Sequence, residues 1–374
     1  MDWEPHARRL ADQVTDPVSR WHEPIASTPR HVFVPRWWEA RELRDGPADK
    51  NAWMAAAYSD QTLVTQLGPL HADHATPDDH PTGSPTSSST LPSLIVRMYR
   101  HGRLFDGADV LDVGSGSGYG CALLAARFGD ERVTSVDVDP YLIKAAGERL
   151  ASIGLHPRVK TVDATGPLPG TYDRIVSMVS VSPIPASWVT ALRPGGRLVT
   201  VLARTTAILT ATKQDDGWVE GHIEWDRAGF MAVRSGPDYP PGIDALFTSI
   251  EHADGDEVKA GRYPVINVNE AWELQSVLEV TAPGIQHYYD EADDGTRTAW
   301  MVHADGSWAR ATAHGTDTPI LAQGGPRRLW DILDEVRDYW LCHGYFQLYG
   351  AKVFIPPEGG KIHLTRGDWE AAIE

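Results

Sequence analysis

The stretch VLDVGSGSGYGCALLAARFG, Val110 to Gly129, runs an apolar strand straight into a glycine-rich turn and then into a helix. A strand that hands over to a helix through glycines commits the chain to a βα unit. The natural completion of such a unit is a parallel sheet covered by helices. The sequence continues in that way. From Pro92 to about Ser235, the strand patterns DVLDVG, RVTSVDV, RVKTVDA, YDRIVSMVSV and GRLVTVLA are interleaved with the helical patterns GCALLAARFG and DPYLIKAAGERLASIG. The expected class is α/β, a doubly wound, Rossmann-like sheet with helices on both faces.

What the turn holds follows by elimination. A P-loop needs Gly-Lys-Ser/Thr where this chain has Gly118-Tyr119-Gly120, so no lysine meets a phosphate. A dinucleotide fingerprint reads G-x-G-x-x-G, whereas Gly114, Gly116 and Gly118 are spaced G-x-G-x-G, with Asp112 two positions before the first. A carboxylate there repels a pyrophosphate and suits a cation such as an amino-acid ammonium. Ser115 lies between the first two glycines. Asp137, with Val138 after it, ends the second strand twenty-five residues beyond Asp112, where a carboxylate can accept both hydroxyls of a ribose. TVDATG then places Asp163 and Ala164 near an adenine edge. A lone G-x-G-x-G is often only a tight turn. An ammonium, a ribose and an adenine in that order, with no phosphate between them, describe S-adenosylmethionine and predict a methyltransferase.

Composition excludes other classes. The formal charge of −17 comes without any Lys/Arg run, which argues against a nucleic-acid partner. No apolar run approaches the length of a membrane span, and the first thirty residues hold no signal-peptide core, so the expected setting is cytoplasmic with no membrane partner. Cys121 and Cys342 are too few for a disulfide framework or a Cys-based metal site and are expected to be buried fillers. His71, His74 and His80 lie in a polar segment without a carboxylate scaffold and are expected to be solvated; no metal is expected.

Four regions are expected. Residues 1–70 form an N-terminal helical segment with the helix WEPHARRLADQV, followed by TPRHVFVPRWW as a short extended stretch entering a helix, and with Trp37, Trp38 and Trp53 as core. Residues 71–91, rich in Pro, Ser, Thr and Asp, read as a long loop. Residues 92–235 form the core, and residues 236–374 a separate α+β domain. That last domain holds the hairpin AWMVHADGSWARA, the amphipathic helix PRRLWDILDEVRDYWLCHG and the hairpin AKVFIPPEGGKIHL.

VLDVGSGSGYGCALLA, TPRHVFVP, VDATG, YDRIVSMVSVSPIP and LRPGGRLV, spread over residues 1–235, resemble the protein-L-isoaspartate O-methyltransferases. The resemblance implies a class I S-adenosylmethionine-dependent methyltransferase domain, with N-terminal helices closing over the site. It also implies that Asp112, Gly114, Ser115, Gly116 and Gly118 surround the methionine part, Asp137 the ribose, and Asp163 with Ala164 the adenine. The chain departs from that family in two ways. Ser88-Ser89-Thr90-Leu91-Pro92 stands where the repair enzymes carry a Thr-Ile-Ser-Gln-Pro type segment, and those enzymes generally stop near the start of the C-terminal region. AYSDQTLVTQ, TSSSTLPS, DRAGFMAVR and GGPRRLWD together are similar to the isoaspartate-methyltransferase homologues of peptide natural-product clusters. Those are the homologues paired with ATP-grasp peptide maturases, with relatives in lanthipeptide pathways. This second resemblance implies methylation of an Asp side chain in a ribosomal, macrocyclised, graspetide-like precursor peptide, the ester then forming aspartimide and, on hydrolysis, isoaspartate. Recognition of the precursor would fall to the C-terminal domain. The alternatives are general repair of isoaspartyl sites and a non-catalytic binding protein, the last disfavoured by the intact glycines and acidic strand ends.

The chemistry asks little of the site. A carboxylate with a pKa near 4 is already ionised, so no general base is required. Ser88, Ser89 and Thr90 are the candidate catalytic residues, donating to one carboxylate oxygen while the other attacks. The same run could instead be loop plus an N-cap for the helix at Pro92. Asp139 reads as a cap for the helix at Pro140, and Ser177, Ser180 and Ser182 either face the substrate or satisfy local backbone.

Overall fold

The computed structural model describes residues 2–235, 247–248, 250 and 253–374. The N-terminal region, expected to be helical, is half sheet. Helices α1 (Glu4–Val14) and α2 (His22–Ser27) lead through a 3-10 turn, Arg30–Phe33, into strands β1 (Arg36–Glu39) and β2 (Glu42–Asp45). Helix α3 (Lys50–Ala57) precedes β3 (Leu63–Leu67), β4 (Leu70–His71) and β5 (Pro85–Ser89), and all five strands join one small sheet. TPRHVFVPRWW therefore turns first and extends second, because the bulky Trp37 and Trp38 bury well on a pleated strand. Trp21, Phe33 and Trp37 share a core with Tyr99, Tyr119 and Leu123, which fixes this cap to the catalytic unit.

Residues 71–91 are not one long loop. They begin inside β4, turn once at Ala72–His74 and end in β5, which pairs antiparallel with β3, Val64 opposite Ser88. The polar composition hid a strand whose alternate side chains face a wet cleft. His71 is a correction too: its ring is buried, Nδ1 accepts from the Asp73 N–H at 3.1 Å, and burial pushes its pKa down to about 4. His74 and His80 are exposed as expected.

Helix α4 (Pro92–His101) and strand β6 (Val110–Val113) open the core, followed by α5 (Tyr119–Phe128), β7 (Val133–Asp137), α6 (Pro140–Ser152) and β8 (Arg158–Thr161). Strand β9 (Tyr172–Val181), helix α7 (Ala186–Ala191) and the strands β10 (Leu192–Leu202), β11 (Ala207–Lys213) and β12 (Val219–Arg227) complete residues 92–235. Strands β8, β7, β6, β9 and β10 are parallel in that order. The sequence order reverses at β6, whose two neighbours are β7 and β9. In an open α/β sheet the ligand crevice lies outside the carboxyl ends of the strands at such a switch point. Helix α6 starts as expected, Asp139 capping the Tyr141 and Leu142 amides with Pro140 in the first turn. Helix α4 does not: its N-cap is Leu91, without a side-chain bond, and the caps come from upstream. Thr62 Oγ1 accepts from the Leu91 amide at 3.1 Å, and Asp60 Oδ1 from the Ser93 amide at 2.9 Å.

The boundary expected at residue 235 is crossed by the sheet itself. Beyond it, β13 (Glu257–Ala260), β14 (Gln286–Glu291), β15 (Thr296–Val302), β16 (Trp308–His314) and β17 (Ile320–Gly324) form their own antiparallel sheet, with helices at Trp272–Thr281 and Leu329–His343. The last strands, β18 (Lys352–Ile355), β19 (Ile362–Arg366) and β20 (Trp369–Ile373), return to the catalytic sheet, β18 pairing with β12, and make it ten-stranded. Leu111, Leu209, Trp330, Ile355 and Leu364 belong to one buried cluster, so the C-terminal region is not a separable domain. Residues 236–246, the expected start of that domain, lie outside the described residues. Cys121 is buried, but Cys342 is exposed, on the outer face of the helix Leu329–His343.

Ile355 is fully buried at the junction. Ile355→Ala should cost about 2–4 kcal/mol in urea unfolding, and ending the chain at Ala351 should abolish cooperative unfolding of residues 92–235. A truncated chain that melts sharply would show that the core does not need its last three strands.

Candidate active site

The glycine turn does two jobs. Gly116, at φ +50°, lies so close to β5 that a Cβ would stand 2.9 Å from the Ser88 carbonyl oxygen. A Cβ on Gly114 would stand 2.8 Å from Val179 Cγ1. Gly116 needs glycine because backbone crosses backbone there, and Gly114 because its φ of +91° is left-handed and the Val179 side chain fills the space. Gly118, the left-handed N-cap of α5, packs against Ala146 instead and does not line the cleft. The cleft lies at the switch point, open to solvent and bordered by Asp112, Gly114, Ser115, Gly116, Asp137, Val138 and Ala164.

Asp112, next to last in β6, is buried. Its Oδ2 accepts from Ser135 Oγ at 2.7 Å, and Ser115 Oγ lies 2.6 Å from the same Ser135 oxygen. Oδ1 is buried without a hydrogen-bond partner among the described residues. Burial pushes the carboxyl up to about 7, aided by the charge of Asp137 and opposed by the Ser135 bond. An unpaired buried carboxylate oxygen is costly unless a donor arrives. An ammonium group supplies that donor, and its charge as well.

Asp137, at the end of β7, accepts from the Gly116 amide at 3.0 Å through Oδ2 and from the Asp139 amide at 3.2 Å through Oδ1. Burial raises its pKa, and the two amides pull it back. Each oxygen keeps a lone pair, which suits two neighbouring hydroxyls. Val138, Leu142, Val162 and Ala164 add an apolar slot, and Trp188 Nε1 fixes its floor by donating to the Ala164 carbonyl at 2.7 Å. Asp163 is not part of the lining. Its Oδ1 accepts from Thr165 N at 2.9 Å and Thr165 Oγ1 at 2.6 Å, which lowers its pKa and ties it to its own turn. These donors and acceptors fit S-adenosylmethionine part by part: ammonium, ribose, adenine.

Across the cleft stands β5. Thr86, Ser88 and Thr90 are half-buried and line it, whereas Ser87 and Ser89 are buried. Ser87 also borders the cleft, but its Oγ bonds Thr65 Oγ1 at 3.0 Å. Ser89 points into the protein because side chains alternate along a strand, a distinction invisible while the run was read as loop. Ser177 and Ser180 are spent locally: their hydroxyls donate to the Val179 and Phe230 carbonyls at 2.7 and 3.0 Å.

Sequence reasoning missed several residues. Ser135 is the register partner of Asp112 on β7, a small polar residue inside an apolar strand, and that was its signal. Met231, Ala232, Val233 and Arg234 form a further wall, because Ala232 bridges to Ser180 at the end of β9. Nothing in their spacing foretold this. No described helix is long and apolar enough to cross a membrane, and among the described residues no cluster of three His, Cys, Asp or Glu could hold a metal ion.

The family model of the protein-L-isoaspartate(D-aspartate) O-methyltransferases matches residues 19–232. This chain belongs to that family. It is an S-adenosylmethionine-dependent carboxyl methyltransferase with the class I fold. Two relatives from Archaeoglobus fulgidus, protein-L-isoaspartate O-methyltransferases 1 and 2, are 26% and 24% identical over 60% and 63% of this chain and 94% and 95% of theirs. A solved protein-L-isoaspartate O-methyltransferase, 17% identical, superposes with a TM-score of 0.52 over 97% of this chain and 99% of its own. The fold of the C-terminal region is therefore shared with that enzyme, and its presence alone does not separate this chain from the isoaspartate methyltransferases.

Asp112 must be ionised to receive an ammonium, so below pH 7 binding has to expel its proton. Affinity for S-adenosylmethionine should fall by up to about tenfold per pH unit below 7 and level off above it, with proton release visible by calorimetry in buffers of differing ionisation heat. In the free protein the raised pKa has the opposite sign for folding. The native state holds this proton from about pH 4, the ordinary carboxylate range, to about 7, so its burial increasingly destabilises the fold as pH rises through that window. Asp112→Asn should thus raise the melting temperature at pH 8 while abolishing cofactor binding; a variant that still binds would remove Asp112 from the ammonium site.

Proposed function

We propose that the enzyme esterifies the side-chain carboxylate of an aspartyl residue in a ribosomally made, macrocyclised, graspetide-like precursor peptide, in the cytoplasm, and that the ester then closes to an aspartimide. The observation that carries this reading is a convergence. Three of the four stretches behind the narrower resemblance meet on the substrate side of one cleft. TSSSTLPS supplies Thr86, Ser88 and Thr90, DRAGFMAVR supplies Met231 to Arg234, and AYSDQTLVTQ supplies the strand that backs β5. The fourth, GGPRRLWD, begins the helix Leu329–His343 in the C-terminal region. We assign recognition of the precursor to residues 257–343, whose sheet adds no strand to the catalytic one.

Bound S-adenosylmethionine supplies a methyl group on a sulfonium, an electrophile that an ionised carboxylate can attack without a base. Asp112 would hold its ammonium end, Asp137 its ribose, and the slot of Val138, Leu142, Val162 and Ala164 its adenine. Ser88 and Thr90 donate to one oxygen of the incoming carboxylate and leave the other free to attack, and Met178, Val179 and Met231 keep water from the line of approach. The ester is then attacked by the backbone nitrogen of the following residue. A C–N bond forms, the nitrogen loses its proton, and methanol leaves, so the imide is one water lighter than the starting peptide.

The names of the Archaeoglobus relatives favour a second reading, repair of isoaspartyl sites in damaged proteins. Mass spectrometry separates the two. A cyclised Asp-containing precursor and a generic isoaspartyl peptide are each incubated with the enzyme and S-adenosylmethionine. The expected result is a methyl ester on the cyclised precursor, decaying to the dehydrated product; turnover of the isoaspartyl peptide alone would replace the first reading with the second. On the productive substrate, Ser88→Ala and Thr90→Val should each slow transfer about 10–100-fold, the worth of a hydrogen bond to a charged group. Cofactor affinity should stay unchanged, and Ser89→Ala should behave as wild type.

A further inference from the structure

Arg30 is fully buried and forms no ion pair among the described residues. Its fork is bound to backbone carbonyls. Nη1 donates to Ala57 and Ser59 at 3.1 and 2.8 Å, and Nη2 to Gln61, Ser89 and Thr90 at 2.8, 3.2 and 3.2 Å. Its guanidinium carbon stands 5.5 Å from the centre of the ring of Tyr119, which opens α5 on the cleft. Burial lowers its pKa to about 10, still well above neutrality, so the charge persists; its hydrogen bonds go to carbonyls, and the Asp60 carboxylate and the Tyr119 ring favour it from nearby. Burying a charge in this way is expensive. An apolar side chain could fill the space at less cost, but neither it nor a lysine presents a planar fork that gathers several acceptors at once.

The carbonyls it gathers come from two places. One group belongs to the last residue of α3 and the turn after it, the other to the last residue of β5 and to Thr90. The same turn reaches forward through Asp60 and Thr62 to the first amides of α4. Arg30 thus closes a loop of polar contacts around the point where the substrate wall leaves its strand. We infer that Arg30 is the positioning residue of that wall: by holding the carbonyls of Ser89 and Thr90 it sets the backbone plane from which Ser88 and Thr90 present their hydroxyls to the substrate carboxylate. It touches no reacting atom. This inference rests on the substrate role given above to Ser88 and Thr90.

The test is a double-mutant cycle between Arg30→Lys and Thr90→Val, read as kcat and KM for the cyclised and the isoaspartyl peptide in parallel, and as cofactor affinity by calorimetry. Lysine keeps the charge and loses the fork. Arg30→Lys should lower kcat about tenfold or more while cofactor affinity stays within about twofold, and adding Thr90→Val should cost little further. A purely structural role would lower the melting temperature and leave kcat per folded molecule intact, and that result would overturn the inference. So would two effects that multiply independently. A normal rate in Thr90→Val alone would instead remove the wall itself, whatever Arg30→Lys does. If the lysine variant does not fold, the native protein decides: in 15N-arginine-labelled enzyme the Arg30 Nη protons, identified by proximity to the Tyr119 ring, should be slowly exchanging and separately resolved. Rapid averaging of those signals would show a fork that holds nothing.

Discussion

The hydrogen bond from Ser135 Oγ to Asp112 Oδ2 holds a carboxylate inside the protein with its second oxygen unserved. Most of the catalytic unit is arranged around that deficit. β6 is buried along its whole length between β7 and β9, so its last side chains cannot turn away to water. The switch in strand order opens a crevice at that point, and the glycine turn carries backbone past it closely enough to meet β5. A cationic ligand relieves the deficit. The fold thus stores the cost of burying Asp112 and recovers it on binding, as expected where a site is prepared before its ligand arrives.

The centre of the sheet was legible because β6 and β7 are buried on both faces and read as apolar runs that end at Asp112 and Asp137. Those carboxylates located the cofactor end of the site. The other end was much less legible. β5 is Pro-Thr-Ser-Ser-Ser, a composition that reads as loop, and only its pairing with β3 reveals which hydroxyls face the cleft. Asp163 followed the family pattern in sequence, yet it lies outside the cleft lining, with Thr165 two residues later bound to one of its oxygens. The caps of α4 came from Asp60 and Thr62, some thirty residues upstream, a distance no local capping rule covers.

Each end of the chain is built onto the catalytic unit. The C-terminal strands pair through β12 with a sheet begun far upstream, so the region between them, β13 to β17, is held as an excursion from the catalytic sheet. At the other end the N-terminal cap reaches the cleft through Arg30. Both devices are non-local and polar or edge-to-edge in character, which is why hydrophobic periodicity could not foresee them.

The measurement that bears most directly on the site is a crystal structure with S-adenosylhomocysteine and the cyclised peptide bound. The expected result is an ammonium on Asp112 Oδ1, ribose hydroxyls on Asp137, and the aspartyl carboxylate donated to by Ser88 and Thr90, with its free oxygen facing the sulfur. A carboxylate held by the Met231–Arg234 wall alone, with β5 making no contact, would contradict the assignment of the substrate site.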